Sequence, residues 1–260
     1  MESKFCDING KTETPSFKTL RISGCEHQIQ RFRRQRRCAA SKKFGAVRRV
    51  ARARHNMQAG GWRMNPRVTE LQCIMPLENI PSVLKLGILS NERAAKLQHR
   101  SVAMEEVQEK RDQTHVPGGL KLHQYANLYF HARNPMLYKR KVEVASLCVL
   151  RISVEVCNVP GVVFADCNAS SPYVRFFAPS QWALLDFDSI YAMDWNRQHA
   201  NDPYAYRVHK ARKCAEVLIP HCVEPKYLTG AYVVDQATGS NLKSLGFDLP
   251  VTIDSAMFFR

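Results

Sequence analysis

Basic residues are segregated so strongly along this chain that they divide it before any element is assigned. Residues 1–63 carry 16 Lys and Arg against 4 Asp and Glu, a net of +12 out of the +15 borne by all 260 residues. The densest run is Arg31-Phe32-Arg33-Arg34-Gln35-Arg36-Arg37, followed by Lys42-Lys43, Arg48-Arg49, Arg52 and Arg54. Like charges packed this closely repel one another, and the stretch has little apolar patterning with which to bury a face, so a disordered leader is expected there. Ordered patterning begins at Met64-Asn65-Pro66-Arg67-Val68. Three readings of the leader stand side by side. It could be a nucleic-acid-binding arm whose cations release counterions from phosphates. It could be an Arg-rich, acid-poor organelle transit peptide. It could be an extension created by a start codon assigned too far upstream of Met64. On the last reading, adopted as the working one, the functional unit is residues 64–260, where 22 basic residues nearly balance 19 acidic ones.

Hydrophobic residues make up 45% of the chain and charged residues 23%, a globular balance that excludes wholesale disorder. Apolar runs such as Val162-Val163-Phe164-Ala165 fall far short of the ~18 residues of a membrane span. The first thirty residues lack the apolar segment of a secretory signal, so no membrane partner and a cytoplasmic setting are expected. The nine cysteines, at 6, 25, 38, 73, 148, 157, 167, 214 and 222, are odd in number and irregular in spacing. With no Cys-x-x-Cys and no His pair three to five residues apart, no metal site is expected. The cysteines read as reduced thiols, Cys148 and Cys157 as small buried apolar residues.

From Met64 onward, short strands and helices alternate irregularly. Val68, Leu71, Cys73 and Met75 suggest a strand. A helix follows with Asn79 as N-cap, Pro81 in its first turn, Ile80, Val83 and Leu84 on one face, and Gly87 as its stop. Residues 101–111 read as a charged helix, 122–130 as an aromatic and apolar strand, and Pro135 as the start of a short helix. Residues 142–157, rich in Val, Ile and Leu, read as one strand or two, and 162–165 as another. Residues 181–187 and 204–213 look helical, 215–219 is a strand ended by Pro220, and 230–234 and 247–253 are the last strands. No internal repeat and no βαβ alternation with a Gly-rich phosphate loop is present, so the fold class predicted is α+β.

Several residues could carry chemistry. Glu216 interrupts an apolar strand, where a carboxylate is costly unless it faces a cleft, is paired, or lies on a solvated edge. Arg111 ends a charged helix and alone reads as a solvated charge. His123, Tyr125 and Tyr129 share a parity on the expected strand, which would put them on one face of a cleft or of the core. Arg133-Asn134 precede a helix start, where backbone amides favour anions. Lys139, Arg140 and Arg175 are candidate phosphate contacts, or plain surface charge.

Taken in order, these pieces resemble the DarT family of bacterial toxins, which ADP-ribosylate bases of single-stranded DNA. The resemblance spans residues 64–260. Cys73-Ile74-Met75, Glu78-Asn79-Ile80-Pro81-Ser82-Val83-Leu84 and Gly87-Ile88-Leu89 are similar to the family's first strand and helix. Gln108-Glu109-Lys110-Arg111 is similar to its catalytic-arginine helix. Leu122-His123-Gln124-Tyr125, Tyr129-Phe130 and Arg133-Asn134-Pro135-Met136-Leu137-Tyr138 resemble its signature block. Arg175-Phe176-Phe177 resembles its DNA-facing segment, and Lys213-Cys214-Ala215-Glu216-Val217-Leu218 the segment that ends in its catalytic glutamate.

The resemblance implies an ADP-ribosyltransferase fold, a split mixed β-sheet with NAD+ in a central cleft and no metal. It implies catalytic roles for Glu216 and Arg111, and NAD+ contacts at Cys73, Ile74, Met75, Ser82, Ser90, Arg111, Tyr129 and Met136. His123, Arg133, Lys139, Arg140 and Arg175 would meet single-stranded DNA. It also implies a toxin in a bacterial cytoplasm whose partner, an ADP-ribosyl hydrolase antitoxin of macrodomain or similar type, removes the mark. Two departures stand out. Cys73-Ile74-Met75 replaces the His-x-Thr of many relatives, removing two polar groups near the nicotinamide end, and Gln124 stands where Asp is common. The wording Tyr125-Ala126-Asn127-Leu128-Tyr129 leans toward the guanosine-modifying branch rather than the thymidine-modifying one. The rival readings are a transferase of the same fold acting on RNA or protein, and a non-catalytic nucleic-acid-binding protein working through its basic leader.

Overall fold

The computed structural model describes residues 64–195 and 201–260, so the leader reading of residues 1–63 lies outside the described residues. Among the described residues there are ten strands and seven α-helices. Strand β1 (Leu71–Pro76) leads through a single 3-10 turn into α1 (Ile80–Leu86), then β2 (Ile88–Leu89), α2 (Asn91–Ala94) and α3 (Glu105–Asp112). Next come β3 (Tyr125–Tyr129), α4 (Pro135–Lys139), β4 (Leu147–Ile152), β5 (Val163–Ala165) and β6 (Phe176–Phe177). The chain closes with α5 (Phe187–Tyr191), α6 (Pro203–Arg212), β7 (Glu216–Pro220), β8 (Cys222–Val223), β9 (Leu228–Val233), α7 (Gln236–Ser244) and β10 (Val251–Ile253).

Eight strands form one sheet in the order β10-β9-β4-β1-β3-β7-β5-β6, and β2 pairs with β8 in a small second sheet. The large sheet is antiparallel except for the parallel β9–β10 pair, so it is mixed. Its centre is where it is weakest. β1 matches β4 at six positions and β3 matches β7 at five, but β1 and β3 meet only at Gln72↔Tyr129. Beyond that pair the two strands diverge toward Met75 and Tyr125, and the sheet is split. Gln72 Oε1 accepts the Ala132 N–H at 2.7 Å just past the junction, tying the chain after β3 to β1.

One face of the sheet is closed by apolar side chains. Leu71, Ala126, Leu128, Leu150, Phe164, Val217 and Ile219 are fully buried together with Ile80 of α1 and Leu242 of α7. Phe130 packs edge-on against Phe164 and Phe187 at 5.4 and 5.6 Å, a geometry that suits the ring quadrupoles. Gly87 ends α1 at φ +80°, and a Cβ there would lie 2.1 Å from the Val223 carbonyl oxygen. Only glycine fits both the left-handed turn and the close approach of β8.

Several expectations from sequence need correction. Asn79 does not cap α1: it is itself helical, and its side chain exchanges hydrogen bonds with the backbone of Arg100 instead. The helix expected over 101–111 begins only at Glu105. His123 lies in a 3-10 turn before β3, so it does not continue the Tyr125/Tyr129 face. The stretch 142–157 is one strand between two 3-10 turns, because its apolar run is longer than its ladder. Residues 179–184 form a 3-10 turn, and α5 starts later, where Asp186 accepts the Ser189 N–H. The last strand begins only after Pro250, which has no N–H to give a ladder. Among the described residues, no helix is long and apolar enough to cross a membrane.

Candidate active site

The split in the sheet opens into a cavity of about 510 Å³, within the usual range for small-molecule sites. Three local devices position its walls. Asn134 caps α4 by accepting the N–H groups of Met136 and Leu137 while Pro135 takes the first helical position, which turns Met136 toward the cavity. Asp202 caps α6 in the same way, again followed by Pro, and sets Arg207, Lys210, Ala211 and Cys214 along one wall. On the floor, β7 is held between β3 and β5 with Glu216 opposite both Tyr129 and Ala165.

Glu216 is only 1% exposed, yet it borders the cavity. Its carboxylate accepts two bonds from Arg111 Nη1, at 2.9 and 3.1 Å, and a third at 3.1 Å from the backbone N–H of Ala169. Arg111, at the end of α3, is 5% exposed. The solvated-charge reading of Arg111 and the solvated-edge reading of Glu216 are therefore both overturned: the two groups meet across 105 residues in a buried ion pair on a central strand. Burying two charges is tolerated because each compensates the other and the carboxylate has a third donor.

The remaining titratable groups on this floor are held neutral. Burial, reinforced by the Glu216 charge, raises the Tyr129 phenol well above its ordinary range. Burial pushes the Cys73 and Cys214 thiols up to about 12. Neither thiol supplies a thiolate nucleophile near neutral pH. The chemistry this floor offers is one carboxylate in a desolvated setting, fixed by a guanidinium and a backbone amide, and able to stabilise a developing positive charge.

The structure brings most of the sequence-derived positions to this cavity: Cys73, Ile74, Met75, Ser82, Arg111, Tyr129, Met136, Lys139 and Glu216 all line it. Ser90 does not. It is buried as the cap of α2, accepting the Arg93 N–H. The other cationic candidates are engaged elsewhere. Arg133 donates to the carbonyls of Ala256 and Met193 and lies 4.2 Å from the Phe259 ring centre. Arg140 is held by Glu143 and the Val102 carbonyl. Arg175 pairs with Asp166 at 2.7 Å and borders a separate hollow beside Phe176 and Pro220. His123 faces Asp112 at 3.3 Å, with its Nε2 buried and without a hydrogen-bond partner among the described residues.

Sequence reasoning passed over Asn127, Gln108, Asn168, Arg207 and Lys210, all of which line the cavity. For the last two a signal existed: residues 207, 210, 211 and 214 follow helical spacing and share a face. Glu216 is the one carboxylate among the described lining residues, and Lys139, Arg207 and Lys210 have no carboxylate partner among them.

A split mixed sheet with a buried Arg–Glu pair at the floor of its central cavity defines a protein of ADP-ribosyltransferase-like fold. Residues 73–259 match the family described as "ssDNA thymidine ADP-ribosyltransferase, DarT", and the chain belongs to that family. It is 30% identical over 207 residues to a DNA ADP-ribosyl transferase–DNA ADP-ribosyl glycohydrolase fusion protein of Thermosipho africanus, covering 75% of this chain and 51% of that one. The chain thus spans about half the length of that relative. The solved structure of Thermosipho africanus DarTG in complex with ADP-ribose superposes with a TM-score of 0.63 at 28% identity, over 73% of this chain and 51% of that one. Thermus sp. 2.9 DarT in complex with ADP-ribosylated single-stranded DNA gives 0.64 at 25% identity, over 75% and 99%.

Proposed function

We propose that this protein transfers ADP-ribose from NAD+ to a base of single-stranded DNA, with guanosine the favoured base on the wording of residues 125–129. The family description names thymidine instead, so the base is the finer point to be tested. The observation that carries the reading is the buried Arg111–Glu216 pair at the floor of a dinucleotide-sized cavity. The ADP-ribose and ADP-ribosylated single-stranded DNA of the two similar structures support the donor and the acceptor.

In this mechanism the bond between nicotinamide and ribose C1′ breaks, and its electron pair leaves with nicotinamide. C1′ gains oxocarbenium character, and Glu216 stabilises it by accepting a hydrogen bond from a ribose hydroxyl. A nitrogen of the base then attacks C1′, and its proton passes to Glu216 or to water. Arg111 is not the base, because a guanidinium stays charged at any working pH. It fixes the carboxylate and balances negative charge on phosphate or on the departing proton's partner. The backbone of Cys73, Ile74 and Met75, with Ser82, Tyr129 and Met136, would hold NAD+. Lys139, Arg207 and Lys210, without carboxylate partners at the cavity wall, would meet phosphates. An unpaired strand suits the site because a stacked, paired base hides the attacked atom.

The fusion relative carries transferase and glycohydrolase in one chain. That supports a partner enzyme that removes the mark; on the proposed reading the protein is a toxin of a bacterial cytoplasm and that partner its antitoxin, of macrodomain or similar type. The test is to incubate the full chain with NAD+ and a mixed-sequence single-stranded oligonucleotide, and to read the products by mass spectrometry. An ADP-ribose adduct on one nucleoside is expected, absent in Glu216→Gln. Adducts only on RNA or protein would redirect the substrate, and DNA binding with no NAD+ cleavage would refute the reading.

A further inference from the structure

Asn127 is the middle residue of β3. It pairs with Leu218 on β7, but β1 does not reach it, because the β1–β3 ladder stops at Gln72↔Tyr129. Strand alternation puts its side chain on the same face as Tyr129 and Glu216, about 7 Å along the strand from Tyr129. Asparagine is depleted in strands, and a tolerated one calls for a reason. Here the amide forms no hydrogen bond with another described residue, although it is half-buried and borders the cavity. Its polar neighbours already have partners. Arg111 and Glu216 hold each other, the Tyr125 hydroxyl accepts the Leu120 N–H, and Gln108 accepts from Asn91. Ile74, Met75 and Leu122, which line the same cavity, have apolar side chains.

We propose that Asn127 is a specificity-determining residue of this site, its side-chain amide reading the edge of a planar ligand group that presents a donor and an acceptor side by side. The proposal rests on the transfer reading given above. An amide matches such an edge with one donor and one acceptor. Two groups in the reaction carry it: the carboxamide of nicotinamide, and the edge of the target base. A polar group dedicated to a ligand discriminates sharply, since a ligand lacking the match leaves it unpaired.

The experiment measures KM and kcat for NAD+ and for single-stranded oligonucleotide separately, with the adducted nucleoside identified by mass spectrometry, in the wild-type chain, Asn127→Leu and Asn127→Asp. Leu keeps the volume without hydrogen bonds, and Asp keeps the acceptors without the donor. If the base edge is read, kcat/KM for oligonucleotide falls by roughly tenfold or more, KM for NAD+ holds, and Asn127→Asp shifts the adduct toward a different base. If the nicotinamide edge is read, KM for NAD+ rises by a similar factor and the adducted base is unchanged. A kcat/KM for oligonucleotide and a KM for NAD+ both within twofold of wild type, with an unchanged adduct, in every variant that folds, would overturn the proposal. Should Asn127→Leu fail to fold, Asn127→Asp carries the test alone. A wild-type chain that neither cleaves NAD+ nor labels DNA would sink the transfer reading itself, a failure visible without any substitution.

Discussion

Removing one partner of the Arg111–Glu216 pair separates the energetic role of these residues from their chemical one. At 2.9 Å and an effective dielectric near 20, the two unit charges attract by about 6 kcal/mol. Much of that offsets the desolvation of two side chains that are 1% and 5% exposed. Truncating Glu216 to Ala leaves the Arg111 cation buried and unpaired and also strips the Ala169 N–H of its acceptor. The expected loss is about 3–5 kcal/mol, or a fall in Tm of roughly 6–20 °C for a chain of this size. Glu216→Gln keeps an oxygen for both donors, so it should unfold closer to wild type. Both variants should lose ADP-ribose transfer, because neither can stabilise positive charge at C1′. Arg111→Ala should lower transfer by ~10²-fold or more. Replacing the pair with apolar residues, Arg111→Met with Glu216→Leu, should recover most of the stability and none of the activity. Thermal unfolding by circular dichroism and transfer from labelled NAD+ give the two readouts. Single variants as stable as wild type, or a double variant destabilised by the sum of the singles, would show that the pair is not coupled. Full transfer by Glu216→Gln would remove its chemical role.

Two further perturbations test other parts of the fold. Lys213 is buried, with its Nζ 3.0 Å from His131 Nδ1 and 2.8 Å from the Ile190 carbonyl oxygen. Burial, with help from the Arg133 charge, lowers it to about 7, and burial with the neighbouring cations lowers His131 to about 3. A lysine whose pKa drops on folding weakens the fold increasingly as pH falls from its ordinary value toward the folded one. Stability should therefore climb by up to about 1.4 kcal/mol per unit as pH rises from about 7 toward 10. That climb should flatten in Lys213→Met, measured as urea midpoints across pH 7–9, and an unchanged slope would contradict the assignment. Separately, Arg207→Gln with Lys210→Gln should reduce the salt dependence of oligonucleotide binding by roughly 0.7 per lost phosphate contact. An unaltered salt slope would take the α6 wall out of the DNA path.

What could be read from the sequence follows the distance over which each fact is decided. Glu216 was legible because its oddity is local, a carboxylate inside Ala215-Glu216-Val217-Leu218-Ile219. Arg111 was singled out only by the family resemblance of Gln108-Glu109-Lys110-Arg111, since nothing local in Glu109-Lys110-Arg111-Asp112 says that its partner lies 105 residues away. The order of elements was largely readable from apolar period and from Pro and Gly. Element ends were not: Asn79 is drawn away by the distant Arg100, Asp186 is a local cap that the apolar pattern overran, and Pro250 lacks an N–H. Arg133 and Arg175 looked like free cations, and only folding shows the carbonyls and the carboxylate that hold them. The split itself is invisible in one dimension. It comes from a ladder that stops after a single pair, which no local pattern announces.

That short ladder leaves the molecule with a seam. Cys73, Ile74 and Met75 stand on one half of the sheet and Glu216 on the other, joined directly between strands at Gln72↔Tyr129. A dinucleotide touching both sides becomes a crosspiece, so its affinity is added to the cohesion of the halves, by about 2.7 kcal/mol at a hundred times Kd. On the proposed reaction the loaded enzyme would be a sturdier object than the empty one, and departure of nicotinamide would slacken the joint as the incoming base needs room.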